Sequence, residues 1–321
     1  MPARALIKGP GPMRLLASAL IRIASAVLTL WLASLLVFLL LDVLPGDPAQ
    51  VALGLEATPQ TLAALRQELG LSDRLSERYL DWILGFMHFD LGISTTYRIP
   101  VLELVHTRLG LSLPLAGLAL LMTLSIGFPL GFALYRGSLP LTIFSALLLA
   151  TPNFILAFLL ILGFSLSWSL FPAGGFSGWD QPIQALYELI LPAFSLAVSQ
   201  SIILARLTAR ECRFVLQSDY IIFAQANGLS ALRAFYQHGL GNIIVGCLPL
   251  IGLQFGFLVA GVVIIELIFQ LPGIGQLLFE AIANRDFTVV SSLIMILLSW
   301  IIFMNTLVDL LLLLLDPRLS K

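Results

Sequence analysis

Lysine is almost missing from this chain, which has it only at Lys8 and Lys321. A Walker-type phosphate loop needs a lysine after a glycine-rich turn, and neither residue has that context, so this chain cannot hydrolyse ATP by that route alone. Cysteine is as scarce. Cys212 falls in a predicted loop and Cys247 just inside a predicted membrane span, which makes a disulfide framework an unsuitable reading. His88, His106 and His238 stand far apart and no HExxH pattern occurs, which argues against a metal site built by this chain. Charge is sparse too: 11% of residues are charged and 59% are hydrophobic. Soluble domains average roughly 25% and about 45–50%, so a soluble core of this length could not hide so much apolar surface.

What the chain has in quantity is apolar helix. A bilayer core about 30 Å thick needs roughly 20 apolar residues to cross, and runs of that order occur at Ile23–Leu41, Leu111–Leu134, Leu139–Leu170, Leu186–Leu204, Ile243–Ile265 and Val289–Leu315. The third is too long to cross straight, and Pro152 in its middle predicts a kink or break. The first follows Arg4, Lys8, Arg14 and Arg22 as a signal peptide would, but its length and the lack of a nearby cleavage pattern favour a retained span. Without repeats, linkers or low-complexity segments, the simplest organisation is one domain over residues 1–321. The fold class expected is an all-α polytopic membrane protein with six transmembrane helices.

Loop charges give the orientation. Eleven basic residues fall before span one, between spans two and three, between four and five and after six, against Arg66, Arg74, Arg78, Arg98, Arg108 and Arg285 on the other side. Basic residues collect in the cytosol, so both termini are expected there. The segment from Asp42 to Arg108 is then the one sizeable extracytoplasmic piece. Thr58 and Pro59 open a helical pattern with Leu62, Leu65 and Leu69 on one face, ended by Gly70, which predicts a small helical cap on the bundle.

Ionisable groups in or beside the spans are the default functional candidates, and here they are mainly Glu266 and Asp309. Glu266 is expected at the outer edge of span five, within reach of water, in a structural or hinge role. Asp309 is expected to face a partner helix near the inner surface, since one carboxylate makes no proton relay. Pro272, Gly273 and Gly275 fit either a re-entrant turn near an outer gate or a plain surface turn.

The loop between spans four and five carries Arg206, Arg210 and Arg213 on one helical face, best read as membrane-surface anchors. After them, Ser218 or Asp219 can cap a short helix that Ala224 and Ala226 favour and Gly228 closes in a left-handed conformation. It is expected to expose Tyr220, Ile221 and Phe223, too apolar for a free turn, so it calls for a partner's groove. The alternative is a helix lying in the membrane interface.

At this point the chain resembles the inner-membrane permeases of ABC importers in the dipeptide, oligopeptide and nickel branch. The similarity covers nearly the whole length, through Leu44-Pro45-Gly46-Asp47-Pro48, Gly70-Leu71, Asp90-Leu91-Gly92-Ile93-Ser94 and Thr151-Pro152-Asn153-Phe154. It continues through Asp219-Tyr220, Ala224, Gly228-Leu229-Ser230, Gly252-Leu253-Gln254, Glu266, Phe269, Pro272-Gly273-Ile274-Gly275, Arg285-Asp286, Asp309 and Asp316-Pro317-Arg318. The resemblance implies that Asp219, Tyr220, Phe223, Ala224, Ala226, Gly228, Leu229 and Ser230 form the coupling helix that sits in a cleft of an ATPase subunit. Glu266, Phe269, Pro272, Gly273 and Gly275 are the candidate outer gate or turn. It also implies a second homologous permease, two ATPase subunits that hold ATP and magnesium, and an external solute-binding protein. Membrane lipid is a further partner, nucleic acid is not, and no cofactor or metal is expected on this chain. The implied location is the bacterial inner membrane and the solute a peptide, a nickel chelate or another small molecule. Ile222 replaces that motif's acidic residue, and the loop is less basic than in relatives. Two other classes are disfavoured: a secondary transporter would show inverted repeats and coupling charges, and an intramembrane enzyme a catalytic constellation. An ABC exporter is the alternative within the resemblance.

Overall fold

The computed structural model describes residues 12–43, 58–68 and 74–315. The motifs at Leu44–Pro48, Gly70-Leu71 and Asp316–Arg318, the basic residues Arg4, Lys8, Arg318 and Lys321, and Leu69 lie outside the described residues. What is described is helical and carries no named strand. Among the described residues five helices are long and apolar enough to cross a membrane, and a sixth span is reached when one bent pair is counted as a single broken span.

Helix α1 (Pro12–Val43) contains the first expected span. It sits at the bundle's edge, with most of its large apolar side chains exposed, as befits a surface meant for lipid rather than water. Two short helices follow, α2 (Pro59–Glu68) and α3 (Leu75–Met87). Thr58 opens α2 as predicted, its hydroxyl accepting from the Thr61 N–H at 3.2 Å. Helix α3 rests on α1: Tyr79 and Trp82 pack on Phe38, Tyr79 and Ser34 hydroxyls meet at 2.8 Å, and Arg78 pairs with Asp42 at 2.8 Å.

The centre of the bundle is α4 (Val101–Tyr135) packed along α7 (Pro182–Leu216). Small residues let the two backbones close in, as packing in lipid requires. A Cβ on Gly127 would meet the Leu204 side chain at 2.8 Å, and one on Gly131 would meet the Ala205 carbonyl at 2.8 Å. Helix α7 is the most enclosed span, and on it Leu189, Ala193, Leu196, Leu204 and Ala205 are fully covered. Cys212, predicted in a loop, lies inside α7 and is fully buried beside Val215 and Ile243. Its helix runs past the expected limit at Leu204 because the residues after it still present an apolar face to the bundle.

The third span is not one helix. Helix α5 (Leu139–Ala150) and helix α6 (Asn153–Leu160), the latter continued by a π-helical segment at Ile161–Ser167, meet at 104°. Pro152 lacks an N–H and forces Thr151 into an extended conformation (φ −85°, ψ 121°), so the helical ladder cannot pass. The break expected at Pro152 is thus a right-angled elbow, and helix ends before Leu170.

Helix α8 (Asp219–Ala226) follows α7 directly. Helix α9 (Ala231–Ala234) then leads through a second π segment (Phe235–Gly239) into α10 (Leu240–Ile268). Helix α11 (Ile274–Ala283) and helix α12 (Phe287–Leu315) complete the chain's described part, with α12 against α1 and α10. One apolar core joins α4, α6, α7 and α10. A second joins the start of α4 to α11, the start of α12 and Leu91.

Candidate functional site

The helix predicted after Ser218 is present as α8, at the end of the bundle where α7 stops and α9 begins. Ser218 takes the N-cap position without a side-chain cap bond, its hydroxyl donating instead to the Val215 carbonyl at 2.5 Å. Gly228 closes the helix in the left-handed region (φ 92°), with its N–H on the Gln225 carbonyl at 2.9 Å and that of Leu229 on the Ala224 carbonyl at 3.2 Å. Only a residue without a Cβ adopts that backbone freely. Of the three apolar residues expected on its surface, Ile221 is instead fully buried, because it points back into the bundle and anchors α8 there. Tyr220 and Phe223 stay out, Phe223 with 71% of its surface exposed. The Tyr220 hydroxyl accepts from the Asn242 amide at 3.1 Å, tying α8 to the start of α10. Ala224 is half-buried, and Ala226, Gly228 and Ser230 are exposed. The Ser230 hydroxyl caps α9 through the Arg233 N–H at 3.4 Å.

The opposite end of the bundle holds the second candidate. Glu266 was expected to touch water; it is completely buried. The chain leaves α10, turns sharply through Phe269, Gln270 and Pro272, and re-enters the bundle as α11, which brings the first N–H groups of α11 over the Glu266 carboxylate. Its Oε2 accepts from the Gly275 N–H at 2.6 Å and its Oε1 from the Ser112 hydroxyl of α4 at 2.5 Å. Ser112 in turn accepts from the Ile274 N–H at 2.9 Å. A carboxylate at a helix N-terminus satisfies orphan donors and complements the helix dipole. Two spans and a short helix are thereby joined at one buried acid: α4, α10 and α11.

The glycines of the turn are dictated by that acid. A side chain on Gly273 would overlap the Glu266 carboxylate, and one on Gly275 would overlap the backbone of Val263. The turn is therefore no plain surface turn: Phe269, Leu271, Gly273 and Gly275 are buried and Pro272 half-buried. An apolar cavity of about 90 Å³ adjoins it, lined among others by Leu109, Ala116, Val262 and Trp300.

The Asp309 side chain is more than half exposed, beside Arg22 of the edge helix. Arg22 of α1 donates to the Asp309 carbonyl and pairs with its carboxylate at 3.6 Å, pinning the edge helix to α12.

Reading the sequence did not single out Asp286 as a site residue, yet it is as buried as Glu266. Its Oδ2 accepts from the Ser94 hydroxyl at 2.5 Å and the Thr96 N–H at 3.0 Å, while its Oδ1 caps α12 through the Val289 N–H at 3.3 Å. The segment 90–100, folded on itself by the Ser94 N–H to the Ile99 carbonyl (3.0 Å), is thus clamped to the start of the last span. Beside it the Tyr97 hydroxyl donates to Glu280 of α11 at 2.9 Å; burial first, then that hydrogen bond, raises the phenol pKa. A polar crossing in mid-bundle was missed as well: Gln254 of α10 donates to the Gln200 carbonyl of α7 at 2.8 Å. An asparagine, aspartate or glutamine before or within an apolar run is a visible signal, but its partner is not.

Among the described residues no three His, Cys, Asp or Glu side chains gather as a metal-binding set. A bundle of broken and long apolar helices, with one short helix thrust out at one end and a latched turn at the other, defines the membrane-embedded subunit of a transport system. The family model for binding-protein-dependent transport system inner membrane components matches residues 119–321, and the model of its N-terminal part matches residues 15–93. This chain belongs to that family. It is 33% identical over 304 residues to a probable peptide ABC transporter permease protein of Sinorhizobium fredii, covering 93% of this chain and 97% of that one. It is 34% identical to the dipeptide transport system permease protein of Escherichia coli strain K12 (89% and 93% covered) and 31% to a glutathione transport system permease protein of Escherichia coli (93% and 97%). The chain is accordingly a transport subunit and not an enzyme, and membership implies a solute-binding protein and ATPase subunits as partners.

Proposed function

We propose that this chain forms half of the translocation pathway of an ATP-driven importer of short peptides in a bacterial inner membrane. The other half is a second, homologous permease, and two ATPase subunits carry ATP and magnesium. An external binding protein delivers the solute. The relatives' names favour peptides, dipeptides or glutathione over a nickel chelate.

The observation that carries the reading is α8. It is a short helix held at its root by Ile221, closed by Gly228 and presenting Tyr220 and Phe223 outward, so it suits the cleft of a partner and acts as the coupling helix. It faces the cytosol with both termini, which puts the latched α10–α11 turn at the outer rim. ATP-driven closure of the ATPases then moves α8 and tips the bundle between inward-open and outward-open as a rigid body.

Reconstituted with the subunits that copurify with it, the chain should support ATP-dependent uptake of radiolabelled dipeptide or glutathione against a gradient. Alone it should hydrolyse no ATP and drive no uphill uptake. Uphill uptake by the chain alone on a proton or sodium gradient would replace this reading with a secondary transporter. The orientation has its own test. Because Cys212 and Cys247 are both buried, single cysteines added at Ser177 and Asn284 should react in sealed cells with a membrane-impermeant maleimide, and one at Ser230 should stay unlabelled. Labelling of Ser230 would invert the orientation.

A further inference from the structure

The elbow between α5 and α6 has a problem that lipid cannot solve. Helix α6 begins with Pro152 at its N-cap and no side-chain cap, and its first ladder bond outside the helix proper is the Leu156 N–H on the Pro152 carbonyl at 3.1 Å. The N–H groups of Asn153, Phe154 and Ile155 have no acceptor in their own helix. On the other leg, Thr151 satisfies two carbonyls, its hydroxyl on Leu147 at 3.0 Å and its N–H on Leu148 at 3.2 Å. Those of Leu149 and Ala150 are left with no further turn of helix to donate to them.

With Trp168 taken at the outer interface, this broken backbone falls at hydrocarbon depth. Helix α6 has 8 residues and its π continuation 7, and together they reach roughly 22 Å inward from Trp168, against a hydrocarbon core of about 30 Å. Non-helical backbone at that depth persists where protein covers it or water lines it. The chain's own bundle does not cover it, since Pro152 is exposed. Water is a poor fit as well, because Ile143, Phe144, Leu147, Phe154, Ile155 and Phe158 stand exposed around the bend. Nor is α5 built to lie in the headgroup layer, which requires a polar face. Its only polar side chains, Thr142 and Ser145, donate to the helix's own neighbourhood at Ser138 and Thr142.

We infer that the α5–α6 elbow is the seat of the second permease, whose apolar helices cover both legs and whose side chains satisfy the open backbone groups at the bend. The inference rests on the two-permease assembly proposed above and assigns that partner to a surface.

The test is photo-crosslinking in membranes containing the whole complex, with p-benzoylphenylalanine placed singly at Phe144, Leu147 and Phe158 and the adducts identified by mass spectrometry. All three positions are exposed in this chain, so the probe does not disturb its core. The expected result is an adduct with the second permease at each position, lost when this chain is expressed without its partners. Adducts with lipid alone, or with another copy of this chain, overturn the assignment. If no second permease copurifies at all, the assembly itself is wrong; if it copurifies and these positions label only lipid, the surface alone is wrong.

Discussion

A Glu266→Leu chain should insert normally yet lose transport, and Glu266→Gln should recover part of it. Leucine has similar bulk but removes both carboxylate acceptors, which strands the Gly275 N–H in a fully buried site and leaves the Ser112 hydroxyl only the long bond to the Arg108 carbonyl at 3.3 Å. Each buried donor left unpaired costs about 1–3 kcal/mol, so the latch should weaken by roughly 3 kcal/mol. Glutamine keeps one oxygen for Gly275, and its amide can donate to the Ser112 oxygen. The free thiols give a direct readout, because Cys212 and Cys247 are buried until the chain unfolds. A thiol-reactive dye followed on heating should show the leucine variant melting at least ~5 °C below the parent, with glutamine between them. Parental melting and parental uptake in the leucine variant would show that the acid does not hold α11.

The second large effect belongs to α8. Gly228→Val forces a β-branched residue into φ 92°, at a cost of roughly 1–2 kcal/mol that falls on the helix's closing turn. No atom stands near a Cβ placed there, so the variant changes backbone preference without a clash. Ala224→Arg adds a long cation to a half-buried position, one turn from Gly228 on the same face. Neither residue lies in a span, so abundance in the membrane should match the parent. Stimulation of ATP hydrolysis by loaded binding protein should be lost in both. Parental stimulation in both variants would make α8 an interfacial helix.

The helices and the short helix outside the membrane were legible because their signals are local. Apolar length announces a span, Pro152 announces a break, and the pattern from Ser218 to Gly228 has both a start and a stop. The size of the bend was not legible, since a proline removes a hydrogen bond without saying which way the freed leg will pack. The two buried acids were half legible. Asp286 stands directly before an apolar run, where an N-cap belongs, but its bond to Ser94 spans most of the chain. Glu266 lies nine residues before the glycine it binds; Pro272, Gly273 and Gly275 mark a turn there, but nothing in the interval decides between a re-entrant turn and a surface one. Ile221 shows the opposite error, because on a helix of eight residues the sequence does not tell which side is the root.

Helix α7 ends in Gln217 and Ser218 and passes straight into α8, which makes it the arm of a lever. Between Pro192 and Leu216 it runs for about 36 Å without a further proline. Gly127 and Gly131 seat it so closely against α4 that the two must swing as one beam. Tilting such a beam by roughly 10° displaces its far end by about 6 Å over that length, more than one helical turn. On the coupling role proposed for α8, a modest shove there would arrive, enlarged to a stroke, at the end of the molecule where Glu266 holds the turn.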